Sequence, residues 1–278
     1  MLRNILRQPW VFSFAAALAV WLITIAYTEG QGAGAILTAA LSFATFTIIV
    51  GLGQMMVITT GPGNVDLSIP ATITLSGVVA MKVMNEDAGN MLVGIVAALG
   101  AASLVGVFNY GLIRLLRIPP IIATLSSSFL ILSTAISYGR GIRIKPPEPL
   151  AEFATAQVMG VPIMSIAVLA ISAVIAVVLT RTVYGRSVLA IGQNSNAAWL
   201  AGLNVDATRF LTYVLSAFLA GVCGILLSGF SRGAALNMGE EFLLASIATV
   251  VIGGTSVAGG RGHVPGIWGA APFMYLLV

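Results

Sequence analysis

The sequence predicts an all-α protein: a polytopic bundle of transmembrane helices. Hydrophobic residues make up 58% of the 278 residues, and the mean hydropathy is +1.03. Charged residues make up only 8%, whereas soluble domains carry about 25%. Charge-free runs recur at lengths of about 20 residues, which a helix needs to cross a bilayer core about 30 Å thick. A soluble globular fold is therefore excluded.

Nine apolar segments follow one another along the chain. They occupy residues 9–28, 30–65, 67–81, 88–113, 118–139, 153–180, 210–231, 242–260 and 264–278. The ninth is about 15 residues long and contains Pro272, so it barely spans the bilayer core. We therefore expect residues 1–278 to form one transmembrane domain, truncated at its C-terminus, with about 10 segments in a full-length chain.

The charges of the loops predict which end of the bundle faces the cytoplasm. If the N-terminus is cytoplasmic, the inner side holds eight cations and two acids: Arg3, Arg7, Arg114, Arg117, Arg181, Arg186, Arg209, Arg261, Asp66 and Asp206. The outer side then holds five cations and seven acids: Lys82, Arg140, Arg143, Lys145, Arg232, Glu29, Glu86, Asp87, Glu148, Glu152, Glu240 and Glu241. Because an excess of Lys and Arg marks cytoplasmic loops, we predict a multi-pass protein of the lipid bilayer with a cytoplasmic N-terminus.

A short polar stretch between the sixth and seventh segments is predicted to form a docking helix on the membrane surface. Asn194 and Asn196 are typical helix-capping residues at its start. Small residues such as Ala197 and Ala198 would let a partner approach one side of this helix closely. The predicted docking residues are Gln193, Asn194, Asn196, Ala197, Ala198 and Gly202.

Residues 59–70 interrupt what would otherwise be continuous hydrophobic sequence. Gly61, Pro62 and Gly63 unwind the backbone, and in lipid the freed polar groups must be satisfied by protein or water. Such an interruption indicates a gate or binding site in transporters. For Asp66, capping of the restarting helix is favoured over direct substrate contact. The candidate pathway and gate residues are Gln54, Gly61, Pro62, Gly63, Asn64, Asp66, Ser68, Asn109, Thr124 and Ser126.

Several functions are excluded by features that the sequence lacks. We expect no charged residue deep within a span, and proton- or sodium-driven carriers usually need one. The glycine-rich run 251–266 lacks the G-x-x-x-x-G-K-[ST] pattern of a nucleotide-binding loop. No metal-ligand or catalytic-triad spacing is present, so we expect neither a metal nor a catalytic residue. The hydroxyl and amide side chains in the spans favour a neutral, hydroxyl-rich solute. Because the cations are spread between spans, nucleic acid is not an expected partner.

Four blocks of sequence carry a resemblance to a known family. Two are specific: GRSVLAIGQNSNAAWLAGLNV at 185–205 and SIATVVIGGTSVAGGRGHVPG at 246–266. The others are GNVDLSIPATITLSG at 63–77 and PPIIATLSSSFL at 119–130. Together they resemble the permease subunits of ribose-type bacterial sugar ABC importers, a group that includes xylose, arabinose and autoinducer-2 permeases. Residues 197–202 keep the A-A-x-x-x-G part of the importer coupling motif, with Asn196 where glutamate is usual. The break departs from the usual G-G-I-D-L-S-V-G by an added proline, which implies a different substrate.

The resemblance implies the permease subunit of an ATP-binding cassette importer in the bacterial inner membrane, carrying a pentose, a hexose or a related polyol. It implies three partners: an ATPase that docks on the helix before the seventh span, a second permease, identical or not, and a periplasmic sugar-binding protein. ATP and Mg would bind to the ATPase, so this chain would hold no cofactor and would not be an enzyme. Two alternatives stay open: a permease for branched-chain amino acids and a self-contained secondary carrier.

Overall fold

A computed structural model describes residues 9–141 and 144–277 of the chain. Four residues named in the predictions lie outside the described residues. They are the loop cations Arg3, Arg7 and Arg143 and the last residue of the ninth segment, Val278. The helices are α1 (Pro9–Tyr27), α2 (Ala33–Thr59), α3 (Ile69–Met84), α4 (Met91–Leu115), α5 (Pro120–Gly139), α6 (Glu148–Thr155), α7 (Ile163–Arg181), α8 (Val183–Gln193), α9 (Ser195–Leu200), α10 (Val205–Phe230), α11 (Phe242–Ile252) and α12 (Val264–Leu276). Strands β1 (Gln157–Val158) and β2 (Val161–Pro162) form an antiparallel hairpin.

The prediction of nine apolar segments, most of them full spans, is not confirmed. In the described part of the chain, six helices are long and apolar enough to cross a membrane: α1, α2, α4, α5, α7 and α10. Helices α3 and α11 are apolar but shorter. They are short because irregular backbone replaces helix at one end of each, between Thr59 and Ile69 and between Phe230 and Phe242. Sequence hydropathy does not detect the missing helical residues, because the irregular residues that replace them are also largely uncharged.

Helix α10 lies at the centre of the bundle, where it packs against α2, α3 and α4. Helix α2 is enclosed on all sides over its second half, because every residue from Ala44 to Thr59 is buried. Its neighbours there include α7, α11 and α12, while α1 packs outside α12. The core is apolar, with Phe46, Leu52 and Met55 all buried. Helices hydrophobic on every side, such as α2, are typical of a bundle centre.

Several of the loop charges contact one another as the predicted grouping requires. At the end that the charges predict to be cytoplasmic, called the inner end below, Arg114 forms an ion pair with Asp206, with 3.0 Å between Nε and Oδ2. At the outer end, Lys82 donates to the Tyr138 carbonyl, and the Lys145 backbone N–H donates to Glu86. One end of the bundle therefore carries loop charges predicted as inner, and the other end carries loop charges predicted as outer.

Three acidic residues depart from the predicted grouping. Asp66 is only 1% exposed, so it belongs to the interior rather than to the inner loops. Glu240 and Glu241 follow Gly239, which lies so close to Pro70 that a Cβ on this glycine would collide with the Pro70 carbonyl. Since Pro70 is in the first turn of α3, well below the outer end of that helix, the placement of these glutamates in an outer loop is wrong.

Candidate functional site

A buried polar cluster surrounds Asp66 where the chain is irregular between α2 and α3. Asp66 Oδ1 accepts hydrogen bonds from the Ser68 backbone N–H at 3.0 Å and from the Ser68 hydroxyl at 2.6 Å. Its Oδ2 accepts from the Ser216 hydroxyl on α10 at 3.1 Å. The Asp66 N–H donates to Gln54 Oε1 on α2 at 3.2 Å. The carboxylate therefore ties the start of α3 to α10, and the backbone at the same residue ties it to α2.

Helices α4 and α5 complete the cluster. Asn109 on α4 donates through Nδ2 to the Ser68 hydroxyl at 2.7 Å, and the Ser127 hydroxyl donates to Asn109 Oδ1. Thr124 on α5 accepts from the Leu67 N–H and donates to the Val65 carbonyl, both at 3.1 Å. Polar backbone freed by the break is thus satisfied by protein, as lipid requires. The break is held by side chains from four helices.

The structure brings most of the predicted pathway residues together, but not all of them. Gln54, Asp66, Ser68, Asn109 and Thr124 meet in the cluster, each at most 1% exposed. These side chains bond to one another or to the backbone of the break. The remaining predicted residues lie elsewhere: Gly61, Pro62, Gly63 and Asn64 at the inner side of the break, and Ser126 on the exposed side of α5. Gly61 and Gly63 have positive φ angles, 129° and 76°, which suits glycine.

Asp66 is not itself the helix-capping residue, because Ser68 precedes the first residue of α3. The Asp66 side chain nevertheless accepts from Ser68 and so supports the helix start from two residues upstream. The expectation that no charged residue lies deep in the membrane needs correction. Irregular backbone carries Asp66 inward from the loop, where three hydrogen bonds compensate its burial.

Three stretches of backbone meet at the inner end of the bundle. The Gly260 N–H donates to the Thr59 carbonyl at 2.9 Å. A Cβ on Gly192, near the end of α8, would collide with the same carbonyl and with the Gly260 N–H. Only glycine permits this approach. We call the contact of Thr59, Gly192 and Gly260 the inner junction. It connects the end of α8, just before α9, directly to the last residue of α2.

The predicted docking stretch contains a six-residue helix, α9. Asn194 caps it, since its Oδ1 accepts from the N–H groups of Asn196 and Ala197 at 3.1 and 3.0 Å. Asn196 lies inside the helix and does not cap it. Ala198 faces the protein at 5% exposure, so it does not present a smooth outer side.

The exposed surface of α9 instead carries two large apolar side chains. Trp199 is 68% exposed and Leu200 is 78% exposed. Gln193, Asn194, Asn196, Ala197 and Gly202 are also exposed. Exposed apolar side chains rimmed by polar ones are typical of a protein interaction surface.

One face of α10 connects α9 to the polar cluster. Asp206 accepts from Tyr110 OH at 3.0 Å and pairs with Arg114. Further along, Arg209 donates to the Thr60 carbonyl and Tyr213 donates to Asn64 Oδ1, both at 3.4 Å. Ser216, the next residue on this face, bonds Asp66. The spacing of three, four and three residues places all four contacts on one side of the helix.

Sequence reasoning missed Tyr213 and Ser216 as members of the cluster, and from the polar run 126–128 it selected Ser126 rather than Ser127. Ser127 is one helical turn after Thr124, and this spacing would have favoured it over Ser126. On α10, Thr208, Thr212 and Ser216 recur every four residues within an apolar span. That pattern could have indicated a polar face turned toward the interior.

The helical bundle and the buried break define a multi-pass membrane protein of the transporter class. The chain belongs to the family described as branched-chain amino acid transport system / permease component, which matches residues 36–277. Members of this family are transport permease subunits rather than enzymes.

Similar curated proteins are permeases of import systems. The autoinducer 2 import system permease LsrC of Enterobacter sp. (strain 638) is 29% identical over 274 residues, covering 98% of this chain and 79% of the relative. The ribose import permease RbsC of Escherichia coli K12 is 31% identical over 227 residues, covering 78% and 68%. The D-allose permease AlsC of the same organism is 28% identical over 228 residues, covering 80% and 68%. No solved structure matches the chain.

Proposed function

We propose that this chain is the membrane-spanning permease subunit of an ATP-binding cassette importer that moves a sugar across the bacterial inner membrane. The carrying observation is that α10 joins an exposed apolar surface at α9 to a buried, broken membrane segment. Similar proteins are named for ribose, D-allose and autoinducer 2. A pentose, a hexose or a related polyol is the solute class that these names and the uncharged polar spans favour.

The proposed mechanism is alternating access driven by a separate ATPase that binds ATP and Mg. The ATPase docks on Trp199 and Leu200 and displaces α9. Rigid α10 carries this displacement over about 16 Å to Ser216 and Asp66, while the inner junction carries it to Thr59. Because Gln54, Asn109 and Thr124 hold the break, their hydrogen bonds must rearrange when the gate opens. A second permease, identical or different, and a periplasmic sugar-binding protein complete the importer.

Branched-chain amino acid import is not favoured, although the family description mentions it. The similar proteins cited above are named for sugars or for autoinducer 2. A zwitterionic solute is favoured by partners of both signs, either charged side chains or helix termini. The polar cluster has Asp66 as an acceptor, but no cationic side chain bonds to this carboxylate among the described residues.

A self-contained, proton-driven carrier is also not favoured. Asp66 already accepts three hydrogen bonds from protein donors, which suits a structural carboxylate. His263, the single histidine, lies at the inner end. Burial and the neighbouring charge of Arg261 lower its pKa, which favours the neutral form of the ring.

The experiment that tests the proposal is reconstitution of the chain with the ATPase and sugar-binding protein of the same transport system. The purified complex in liposomes should import radiolabelled sugar only when ATP and the binding protein are present. D-ribose, D-allose and D-fructose are the probes, with L-leucine as the control solute. Uptake by the chain alone, without ATP, would overturn the proposal, as would uptake of leucine but of no sugar.

The docking surface is tested separately by co-purification. Trp199→Ala combined with Leu200→Ala should reduce recovery of the ATPase with the permease at least about tenfold, since exposed aromatic and aliphatic side chains dominate such contacts. Val183→Ala, which changes another exposed apolar side chain at the inner end, is the matched control and should leave recovery unchanged. If equal amounts of ATPase co-purified with both variants, the ATPase would dock on another surface of the permease.

A further inference from the structure

The irregular chain after α10 descends into the membrane along α3. The side chains of Leu236 and Val78 both lie beside Gly139, where a Cβ on this glycine would meet them, so the chain at Leu236 runs next to α3 and α5. Three residues later, Gly239 lies against Pro70 in the first turn of α3. Pro70 lies 14 residues, about 21 Å of helix, before Met84 at the outer end of α3. The backbone at Gly239 therefore lies well below the outer end of the bundle.

The length of α11 independently supports this descent. Eleven residues make a helix of about 16 Å, roughly half of the bilayer core. The end of α11 lies near the inner end of the bundle, because the following loop places Gly259 against Gly61. Its start, directly after Glu241, is therefore near the middle of the membrane.

Two carboxylates consequently lie at membrane depth. Glu240 and Glu241 are both exposed at the protein surface. An ionised carboxylate facing lipid at this depth is costly, and such residues usually face a water-filled cavity or another protein. The surface around Glu240 is therefore not a lipid-facing surface.

A pocket of about 240 Å³ lies beside Glu240, between α3 and α5. Its polar lining side chains are Thr74, Ser128 and Glu240, and the ring of Phe129 forms part of its wall. Leu67, which also lines it, belongs to the break and donates to Thr124. The pocket is smaller than the roughly 300–1,000 Å³ of drug-sized ligand sites, so it suits a small solute.

The exposed side of α5 next to this pocket carries a line of serines. Ser126, Ser133 and Ser137 are exposed, and their spacing of seven and four residues places them on one stripe. Within the part of the chain that the structure describes, none of these hydroxyls forms a hydrogen bond. Since lipid offers no partner, water, solute or a second permease must supply one.

On the basis of the proposed function, we propose that the pocket of Ser128, Phe129 and Glu240 is a subsite for a monosaccharide on the translocation pathway. The Glu240 carboxylate accepts from sugar hydroxyl groups, and Ser128 both donates and accepts. The apolar face of the sugar ring packs on Phe129. No cationic side chain lines the pocket among the described residues, so neither an anion nor an amino-acid carboxylate finds a partner there.

The first test measures water access with single cysteines. Phe129→Cys and the control Leu169→Cys replace side chains of similar exposure, 66% and 54%, on α5 and α7. The native Cys223 is buried and does not compete. A cationic methanethiosulfonate reagent should modify Phe129→Cys at least about tenfold faster, because a thiol facing lipid does not ionise readily. Millimolar concentrations of the imported sugar should slow this reaction. Equal rates at both positions, or a fast reaction that no sugar slows, would overturn the subsite.

The second test measures transport in the reconstituted complex. Glu240→Gln and Phe129→Leu should each lower the rate of sugar uptake about tenfold, as expected for loss of a binding contact. ATP hydrolysis stimulated by the binding protein should persist, since neither residue lies near α9. Phe12→Leu is the matched control, because Phe12 on α1 is 68% exposed and far from the pocket.

The outcomes separate this inference from the proposed function. If the wild-type complex imports no sugar, the proposed function fails and the subsite fails with it. If the wild-type complex imports sugar and both variants match it, the subsite alone is wrong.

Discussion

At the scale of single residues, Asp66 has the largest structural consequence because its carboxylate satisfies three donors in the membrane interior. Asp66→Ala would leave the Ser68 N–H and the hydroxyls of Ser68 and Ser216 without this acceptor. We expect it to lower the free energy of unfolding by about 2–4 kcal/mol, while Asp66→Asn costs less because one oxygen remains. Melting temperatures in detergent should rank wild type first, then the asparagine variant, then the alanine variant.

The control for this ranking is Asp206→Ala at the inner surface. Its ion pair with Arg114 joins side chains that are more than half exposed, and Asp206 accepts one hydrogen bond, from Tyr110, so its loss should cost about 1 kcal/mol, less than that of Asp66. If Asp66→Ala melted at the wild-type temperature, the cluster would not hold the break together.

Gly192 at the inner junction gives a second prediction at this scale. Gly192→Ala would drive a Cβ into the Thr59 carbonyl and the Gly260 backbone, and neither of these is the end of a flexible side chain that could move aside. We expect a loss of about 1–3 kcal/mol and a lower yield of folded protein in size-exclusion chromatography. Gly100→Ala is the control, because nothing lies near a Cβ at that exposed helical position and alanine favours helix by up to about 1 kcal/mol. Similar yields for the two variants would contradict the close approach at Gly192.

Residue identity alone predicted much of the polar cluster but not its full membership. Polar residues in apolar spans identified Gln54, Asn109 and Thr124 as candidates. Ser126 remains a pathway prediction, whereas Ser127 joins the cluster, because which serine of the run faces the cluster depends on the rotation of α5 about its axis. That rotation follows from contacts with α3 and α4 that are distant in sequence, so a single serine-rich run does not determine it.

At the scale of elements, α9 depends on one side-chain cap. Asn194→Ala removes the acceptor for two N–H groups and should destabilise this helix by about 1 kcal/mol, whereas Asn194→Asp should preserve it. Hydrogen exchange of the amides in residues 195–200 should then be several-fold faster in the alanine variant. Asn196→Ala should leave the exchange rates unchanged, since Asn196 does not cap the helix. Faster exchange in that control would show that the cap is assigned to the wrong asparagine.

The two short helices α3 and α11 show where the apolar pattern of the sequence does not predict the extent of a helix. The segments that contain α3 and α11 read as spans because Gly, Pro and small residues do not interrupt hydropathy as charges do. The break before α3 was predictable from Gly61, Pro62 and Gly63. The descent before α11 was not, because residues 233–239 carry no proline and their path is set by packing of Leu236 and Gly239 on α3 and α5.

At the scale of the whole molecule, the two charged ends predict an orientation that can be measured in cells. Met159, in the turn of the β-hairpin, is fully exposed at the outer end, and Asn196 is exposed at the inner end. Because cytoplasmic loops are enriched in Lys and Arg, an impermeant thiol reagent should modify Met159→Cys from the periplasm and Asn196→Cys only in inside-out vesicles. The wild-type chain is the control and should stay unmodified, since Cys223 is buried. The reverse pattern would place α9 in the periplasm, where no cytoplasmic ATPase could reach it, and would remove the basis for coupling through α10.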